Sequence, residues 1–161
     1  MTSNSKVHYS WKDIETSIKD IHEQIIYTNW TPDIIIGIAN GGSIPATMFS
    51  KTFKIPCKII TVQMRDGKIK EDLDIDLIHS IYGKNILIVD EINDSGETLQ
   101  WILKNWDITP SQWFYNTRIA TLTYNIGSAV KSDYYYWKID KRIDPVWCVY
   151  PWESFVDSDT I

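Results

Sequence analysis

Cysteine is scarce. Cys57 and Cys148 are the two in 161 residues, neither in a C-x-x-C spacing nor near clustered histidines, so the chain has no disulfide framework and no zinc module. A reducing cytoplasm is the expected setting. Seven glycines and six prolines are too few for a fibrous or low-complexity protein. The longest apolar run, Ile34 to Ala39, is broken by Gly37 and falls far short of the roughly 20 residues that cross a bilayer, so no membrane association is expected. The opening Met1-Thr-Ser-Asn-Ser-Lys lacks the charged and apolar regions of a secretory signal and reads as a short frayed terminus. Positive charge is also short: 16 Lys and Arg against 21 Asp and Glu leave a net charge of −5. Without a basic field the chain is not a nucleic-acid binder. A phosphorylated ligand would have to be held by main-chain amides, a helix N-terminus and a metal ion.

What the chain does have is a core. Hydrophobic residues make up 43% and aromatic residues 13%, eight of them tryptophan, and nothing resembling a linker or repeat divides the sequence. One domain over residues 1–161 is expected. From Ser10, the spacing of Trp11, Ile14, Ile18, Ile21 and Ile25 predicts an amphipathic helix, with Ser10 and Asp13 forming a capping box. Asp33 to Ala39 (DIIIGIA) is apolar throughout, as a strand buried on both faces is. After Asn40-Gly41-Gly42, Ser43 to Phe53 predicts a helix opened by Ser43 with Pro45 in its first turn. Strands follow at Lys58 to Gln63, Asn85 to Val89, Arg118 to Tyr124 and Asp133 to Trp137, with another at Val146 to Tyr150, and a helix starts at Leu99. The alternation implies an α/β fold: a mainly parallel twisted sheet flanked by helices. Ligands in such folds sit at the carboxyl ends of strands.

The turn after Val89 is the most informative. Four apolar residues lead into Asp90-Glu91-Ile92-Asn93-Asp94-Ser95-Gly96-Glu97-Thr98. Ser95, Gly96 and Thr98 place hydroxyls and amides at a helix N-terminus, where the dipole favours a phosphate. Glu97 stands where a P-loop would need lysine, which excludes nucleoside triphosphate hydrolysis of that type. A receiver domain also ends a strand in paired acids, but its acids do not lead directly into a Ser-Gly-Glu-Thr cup.

This segment resembles the phosphoribosyl-diphosphate (PRPP) motif of type I phosphoribosyltransferases. The resemblance implies that Asp90 and Glu91 meet the ribose hydroxyls and Mg2+, with Glu91 as the metal residue, and that Asp94, Ser95, Gly96, Glu97 and Thr98 hold the 5′-phosphate. It also makes Asp94 the catalytic residue, acting as general acid or base on the purine imidazole ring. Asn40-Gly41-Gly42 resembles the family's diphosphate loop, where an Arg or Lys usually precedes the two glycines. The polar run within residues 64–76, with Arg65, Lys68 and Lys70, corresponds to the segment that closes over PRPP and excludes water.

Near the end, Trp147-Cys148-Val149-Tyr150-Pro151-Trp152-Glu153 resembles the W-x-x-x-P-W-[DE] tail of the xanthine–guanine branch. There it forms a small C-terminal hood over the base. By that resemblance Trp147 stacks on the ring, the Cys148 backbone reads its edge, Glu153 lies near carbon 2, and Trp152 belongs to the core. The branch carries a lysine a few residues beyond Ala120-Thr121-Leu122; here Asn125 stands in its place, with an amide that both donates and accepts. His8, His22 and His79 show no ligand spacing.

The resemblance implies purine salvage: transfer of 5-phosphoribosyl from PRPP to guanine, xanthine or hypoxanthine with release of diphosphate. The partners would be PRPP and a nucleobase, together with further copies of the chain in a homo-oligomer (dimer or tetramer). A non-catalytic PRPP- or nucleotide-binding regulator remains open as an alternative, as does a phosphoribosyltransferase for a different nucleobase, because Asn40 and Asn125 replace expected cations.

Overall fold

The structure is a computed structural model, and it describes residues 5–65, 68–70, 77, 80–106 and 116–155. Five strands, β2 (Ile34–Ala39), β3 (Cys57–Thr61), β6 (Ile86–Asn93), β7 (Thr117–Asn125) and β8 (Tyr134–Ile139), form one sheet in the order β3-β2-β6-β7-β8. Every pairing in it is parallel. Parallel strands need crossovers, and the helices that supply them cover both faces. That is why the central strands read as continuous apolar runs.

Alternation along those strands sends side chains to two separate cores. Ile35, Leu87 and Val89 pack beneath α1 (Trp11–Tyr27) and α2 (Ser43–Phe53), against Ile14, Ile18, Ile21, Ile25 and Phe49. Ile34, Ile36, Ile38, Ile86 and Ile88 point the other way, toward Leu99, Ile102 and Trp106 of α3 (Glu97–Trp106) and toward the helical residues Leu77 and Ile81. Each fully buried isoleucine contributes about 1.5–3 kcal/mol.

The expected capping box closes the start of α1. Ser10 Oγ accepts from the Asp13 amide at 3.1 Å, and Asp13 accepts from the Ser10 amide at 2.7 Å. Helix α2 is capped at Gly42, one residue before the expected Ser43, and without a side-chain cap. β3 ends at Thr61, not Gln63, because Gln63 opens a short antiparallel ladder of β4 (Gln63–Arg65) and β5 (Lys68–Lys70). The rest of the 64–76 segment, Asp66, Gly67 and residues 71–76, lies outside the described residues.

A separate two-stranded sheet forms the hood. β1 (Lys6–His8) pairs in parallel with β9 (Trp147–Val149), in the register Lys6 with Trp147 and His8 with Val149. The reading of the first six residues as frayed fails at Lys6, because β9 supplies a partner that β1's own exposed sequence does not announce. The hood is thus built from both ends of the chain. Tyr9 fastens it to the main sheet by stacking on Trp137, with centroids 3.9 Å apart and planes at 24°. Among the described residues, no helix is long and apolar enough to cross a membrane.

Candidate active site

The carboxyl ends of β2, β6 and β7 open on the same edge of the sheet. β6 does not stop at Val89 as expected. Its ladder with β7 continues, pairing Asp90 with Thr121, Ile92 with Thr123 and Asn93 with Tyr124. The acid pair therefore sits on a rigid strand, not in a loop, and successive residues there face opposite sides of the sheet.

Both acids are desolvated, and this dominates their chemistry. Burial raises Asp90 from 3.8 to about 8, with the neighbouring Glu91 charge adding to the rise and a hydrogen bond from the Glu91 amide opposing it. Burial raises Glu91 from 4.5 to about 7, opposed by the Trp152 indole and reinforced by Glu153. The Trp152 Nε1–H donates to Glu91 Oε2 at 2.8 Å. The Tyr150 hydroxyl lies 3.1 Å from the Glu91 carbonyl and 2.8 Å from Thr123 Oγ1.

Two desolvated carboxylates are a hard-oxygen set that a cation would discharge. Among the described residues, no group of three or more His, Cys, Asp and Glu is placed to hold a metal alone. Mg2+ fits this donor set, since it is commonly held by one or two carboxylates with the remaining positions filled by water and substrate phosphate.

The Asn40-Gly41-Gly42 loop lies directly on the acids. A Cβ on Gly41 would overlap the Glu91 carboxyl, and one on Gly42 would come within 2.6 Å of the Ile38 and Val89 carbonyl oxygens. Only glycine permits this approach. The Ala39–Asn40 peptide is cis, and the Gly42 amide donates to Ile38 O at 2.8 Å.

Past Asn93 the chain turns into a cup. Asp90 and the run from Ile92 to Leu99 line a pocket of about 100 Å³. Asn93 is 1% exposed and fastens the neighbouring loop: its Nδ2 donates to Val130 O at 2.7 Å and its Oδ1 accepts from Ser128 Oγ at 2.6 Å. The Ala129 amide donates to Ser95 O at 2.8 Å. Gly96 takes φ +84°, and a Cβ there would sit 2.9 Å from the Val130 amide and overlap Ser128 Oγ. α3 starts at Glu97, two residues before the expected Leu99. The Gln100 amide donates back to Gly96 O at 2.8 Å, and Ser95 Oγ accepts from the Glu97 amide at 3.3 Å. The first-turn amides of α3 and its positive dipole end therefore face the cup.

Trp147, 55% exposed, lies beyond Lys141, whose Nζ is 6.0 Å from the centre of its ring. Cys148 is buried, with its thiol 3.7 Å from the Tyr9 hydroxyl. Glu153 turns back and accepts from the Tyr150 amide at 3.2 Å. Asn125 closes β7 at 7% exposure. Its Nδ2 donates to Asp94 O and Asp94 Oδ1, both at 3.2 Å, and its Oδ1 accepts from the Gly127 amide at 3.4 Å and the Lys141 amide at 3.2 Å. Both donors and both acceptor sites of this amide are used internally.

Sequence reasoning missed three residues here: Lys141, Tyr150 and the hydrogen-bonding role of Trp152. Lys141 Nζ lies 2.6 Å from Asp94 Oδ2 and 6.0 Å from the centre of the Trp147 ring. Nothing in the local sequence Asp140-Lys141-Arg142 marks it. Only the return of the chain from β8 to β9 brings it to Asp94, 47 residues away.

Comparison with known proteins bears on the fold and the family. The sequence profile of the phosphoribosyl transferase domain matches residues 8–155. The hypoxanthine-guanine phosphoribosyltransferase of Schizosaccharomyces pombe is 27% identical, over 92% of this chain and 89% of that protein. Among solved structures, a purine phosphoribosyltransferase from Pyrococcus horikoshii superposes with a TM-score of 0.70 at 29% identity, covering 91% of this chain and 93% of the other. A hypothetical protein from Neisseria gonorrhoeae with bound ppGpp superposes with a TM-score of 0.73 at 26% identity, covering 95% and 92%.

Proposed function

The chain belongs to the phosphoribosyl transferase domain family, and from that premise we propose that it transfers the 5-phosphoribosyl group of PRPP to a 6-oxopurine, guanine, xanthine or hypoxanthine, releasing diphosphate. The observation that carries the reading is the continuity of Asp90 with the cup: Asp90, on the extended end of β6, and the turn through Thr98 line one pocket.

In this reading the 5′-phosphate docks on the amides of Ser95 to Thr98, where the helix dipole compensates charge that a chain with net −5 cannot meet with a basic surface. Asp90 and Glu91 hold the ribose hydroxyls, and Glu91, whose Oε2 accepts from the Trp152 indole, would hold Mg2+. Bound there, the cation would supply charge neutralisation for the departing diphosphate. The Asn40-Gly41-Gly42 loop offers its main chain to the diphosphate, close beside the acids. The base stacks on Trp147, its edge set by the Cys148 backbone and Glu153, while Asp94 holds or releases the proton of the attacking ring system. Asn125 orients Asp94 and does not itself meet the base.

A second reading, a PRPP- or nucleotide-binding regulator, draws support from the neutral Asn40 on the diphosphate loop and from the ppGpp held by the Neisseria neighbour. One assay separates the two. The chain is incubated with PRPP, Mg2+ and each nucleobase, and diphosphate and nucleoside monophosphate are measured. The transferase reading expects product with guanine, xanthine or hypoxanthine. Nucleotide binding without product from any base contradicts it and supports the regulator.

A further inference from the structure

Three parts of the molecule meet at Glu91. Its carboxyl lies so close to the Asn40-Gly41-Gly42 loop that a Cβ on Gly41 would overlap it. Its backbone carbonyl is 3.1 Å from the Tyr150 hydroxyl, and its Oε2 accepts from the Trp152 indole at 2.8 Å. Both aromatic residues follow β9 in the chain, 59 and 61 residues away. Among the described residues nothing hydrogen-bonds to Oε1, so one carboxyl oxygen is tied and the other is open.

The donor has neighbours of its own. Trp152 stacks on Tyr150, with centroids 5.2 Å apart and planes at 9°, and Trp11 of α1 packs against it at 5.9 Å. Tyr150 is 1% exposed and its hydroxyl is 2.8 Å from Thr123 Oγ1 on β7. Packing therefore fixes the indole before any ligand arrives.

The kind of donor decides what it can do. An indole N–H gives one hydrogen bond, carries no charge and accepts nothing. A lysine or arginine in its place would discharge Glu91 as well as orient it. The indole orients the carboxyl and leaves its negative charge available to a cation. A glutamate also has three side-chain torsions, and holding them beforehand removes their ordering from the cost of binding. Carboxylates that ligate metals are commonly held by an outer hydrogen-bond partner of this kind, whose loss weakens the metal about 10- to 100-fold.

We propose that Trp152 is a positioning residue, holding the Glu91 carboxyl from the hood in the orientation that receives Mg2+. The inference deepens the proposed function and rests on its assignment of Mg2+ to Glu91.

The test is calorimetric titration of PRPP, once in Mg2+ and once in EDTA, into the wild-type chain, Trp152→Phe and Trp11→Ala, with no base present and no turnover. Trp152→Phe keeps a ring to stack on Tyr150 and loses the N–H. Trp11→Ala loosens the packing on Trp152 and keeps it. The wild type is expected to bind PRPP more tightly in Mg2+ than in EDTA. Trp152→Phe is expected to lose about tenfold or more of that gain with its affinity in EDTA unchanged, and Trp11→Ala to keep the gain. A tryptophan that merely fills space would cost as much affinity in EDTA as in Mg2+. The inference is overturned if Trp152→Phe keeps the wild-type gain, if it weakens equally in both media, if Trp11→Ala loses as much of the gain, or if the wild type shows no gain. Each of those results leaves PRPP binding by the wild type, and with it the transferase reading, standing. A wild type that binds PRPP in neither medium contradicts that reading and this inference together.

Discussion

The end of the site proposed to hold the phosphate and the end proposed to hold the base are built in opposite ways. The phosphate end is contiguous: Asp90 through Thr98 pass from strand to cup to helix within nine residues, and their geometry follows from local rules of strand ending, glycine conformation and helix dipole. The base end is assembled from three distant segments, with Asn125 closing β7, Lys141 on the turn after β8 and Trp147 opening β9. A contiguous device tolerates drift elsewhere in the chain, because its parts travel together. An assembled one changes whenever any contributing turn changes, and base preference is accordingly expected to vary more readily than phosphate binding.

The comparison is broken most severely at Gly96. Placing a side chain at φ +84°, in overlap with Ser128 and 2.9 Å from Val130, costs about 1–3 kcal/mol in backbone strain before the collision is counted. Gly96→Ala is expected to weaken PRPP binding by about 100-fold or more, with binding of a free nucleobase or nucleoside unaffected. Calorimetric titration of each ligand measures both; equal losses at the two ends would mean they are not independent.

The reciprocal variant is Trp147→Ala. Stacking on an aromatic ring contributes about 1–3 kcal/mol per base, so KM for the nucleobase is expected to rise by about 5- to 100-fold while KM for PRPP stays constant. Trp147 is 55% exposed, so thermal stability should scarcely move, and steady-state kinetics with each substrate varied in turn reads the split.

The smallest effect sharpens the comparison without a ligand. Asp90 and Glu91 hold their protons to about 8 and about 7 in the folded chain, against ordinary values of 3.8 and 4.5. Between about pH 4 and 8 the folded state therefore binds more protons than the unfolded one. Its stability is full below the unfolded values and falls as pH rises through the folded ones. Thermal denaturation from pH 5 to 8 is expected to give a declining Tm that flattens in Asp90→Asn/Glu91→Gln, the double variant being the more stable at pH 8. No corresponding flattening is expected from variants at the base end, which keep the acid pair and its slope.

Much of the frame was legible in the sequence because it depends on local chemistry. The capping box at Ser10 and Asp13, the two-faced isoleucines of β2 and the cup after Asn93 follow from spacing and residue type. The extension of β6 through Asp90 and Glu91 was not legible. Polar residues at a strand's end look like loop, and what keeps them in the ladder is pairing with Thr121 and Thr123. Lys6 to His8 are all exposed and show no alternation, so only the presence of β9 makes them a strand. Asn125 was visible as a residue, but not its full commitment to Asp94, Gly127 and Lys141, a matter of tertiary neighbours. Lys141 was hidden for the same reason.

The central claim is that the strand-borne acids and the following cup bind PRPP together with Mg2+. Calorimetric titration of PRPP with Mg2+ into the wild-type chain and into Asp90→Asn/Glu91→Gln tests it most directly. The account predicts saturable 1:1 binding by the wild type that weakens by at least about 100-fold in the double variant, which is expected to fold and to be the more stable at pH 8. Absence of binding by the wild type, or equal binding by both, would contradict it.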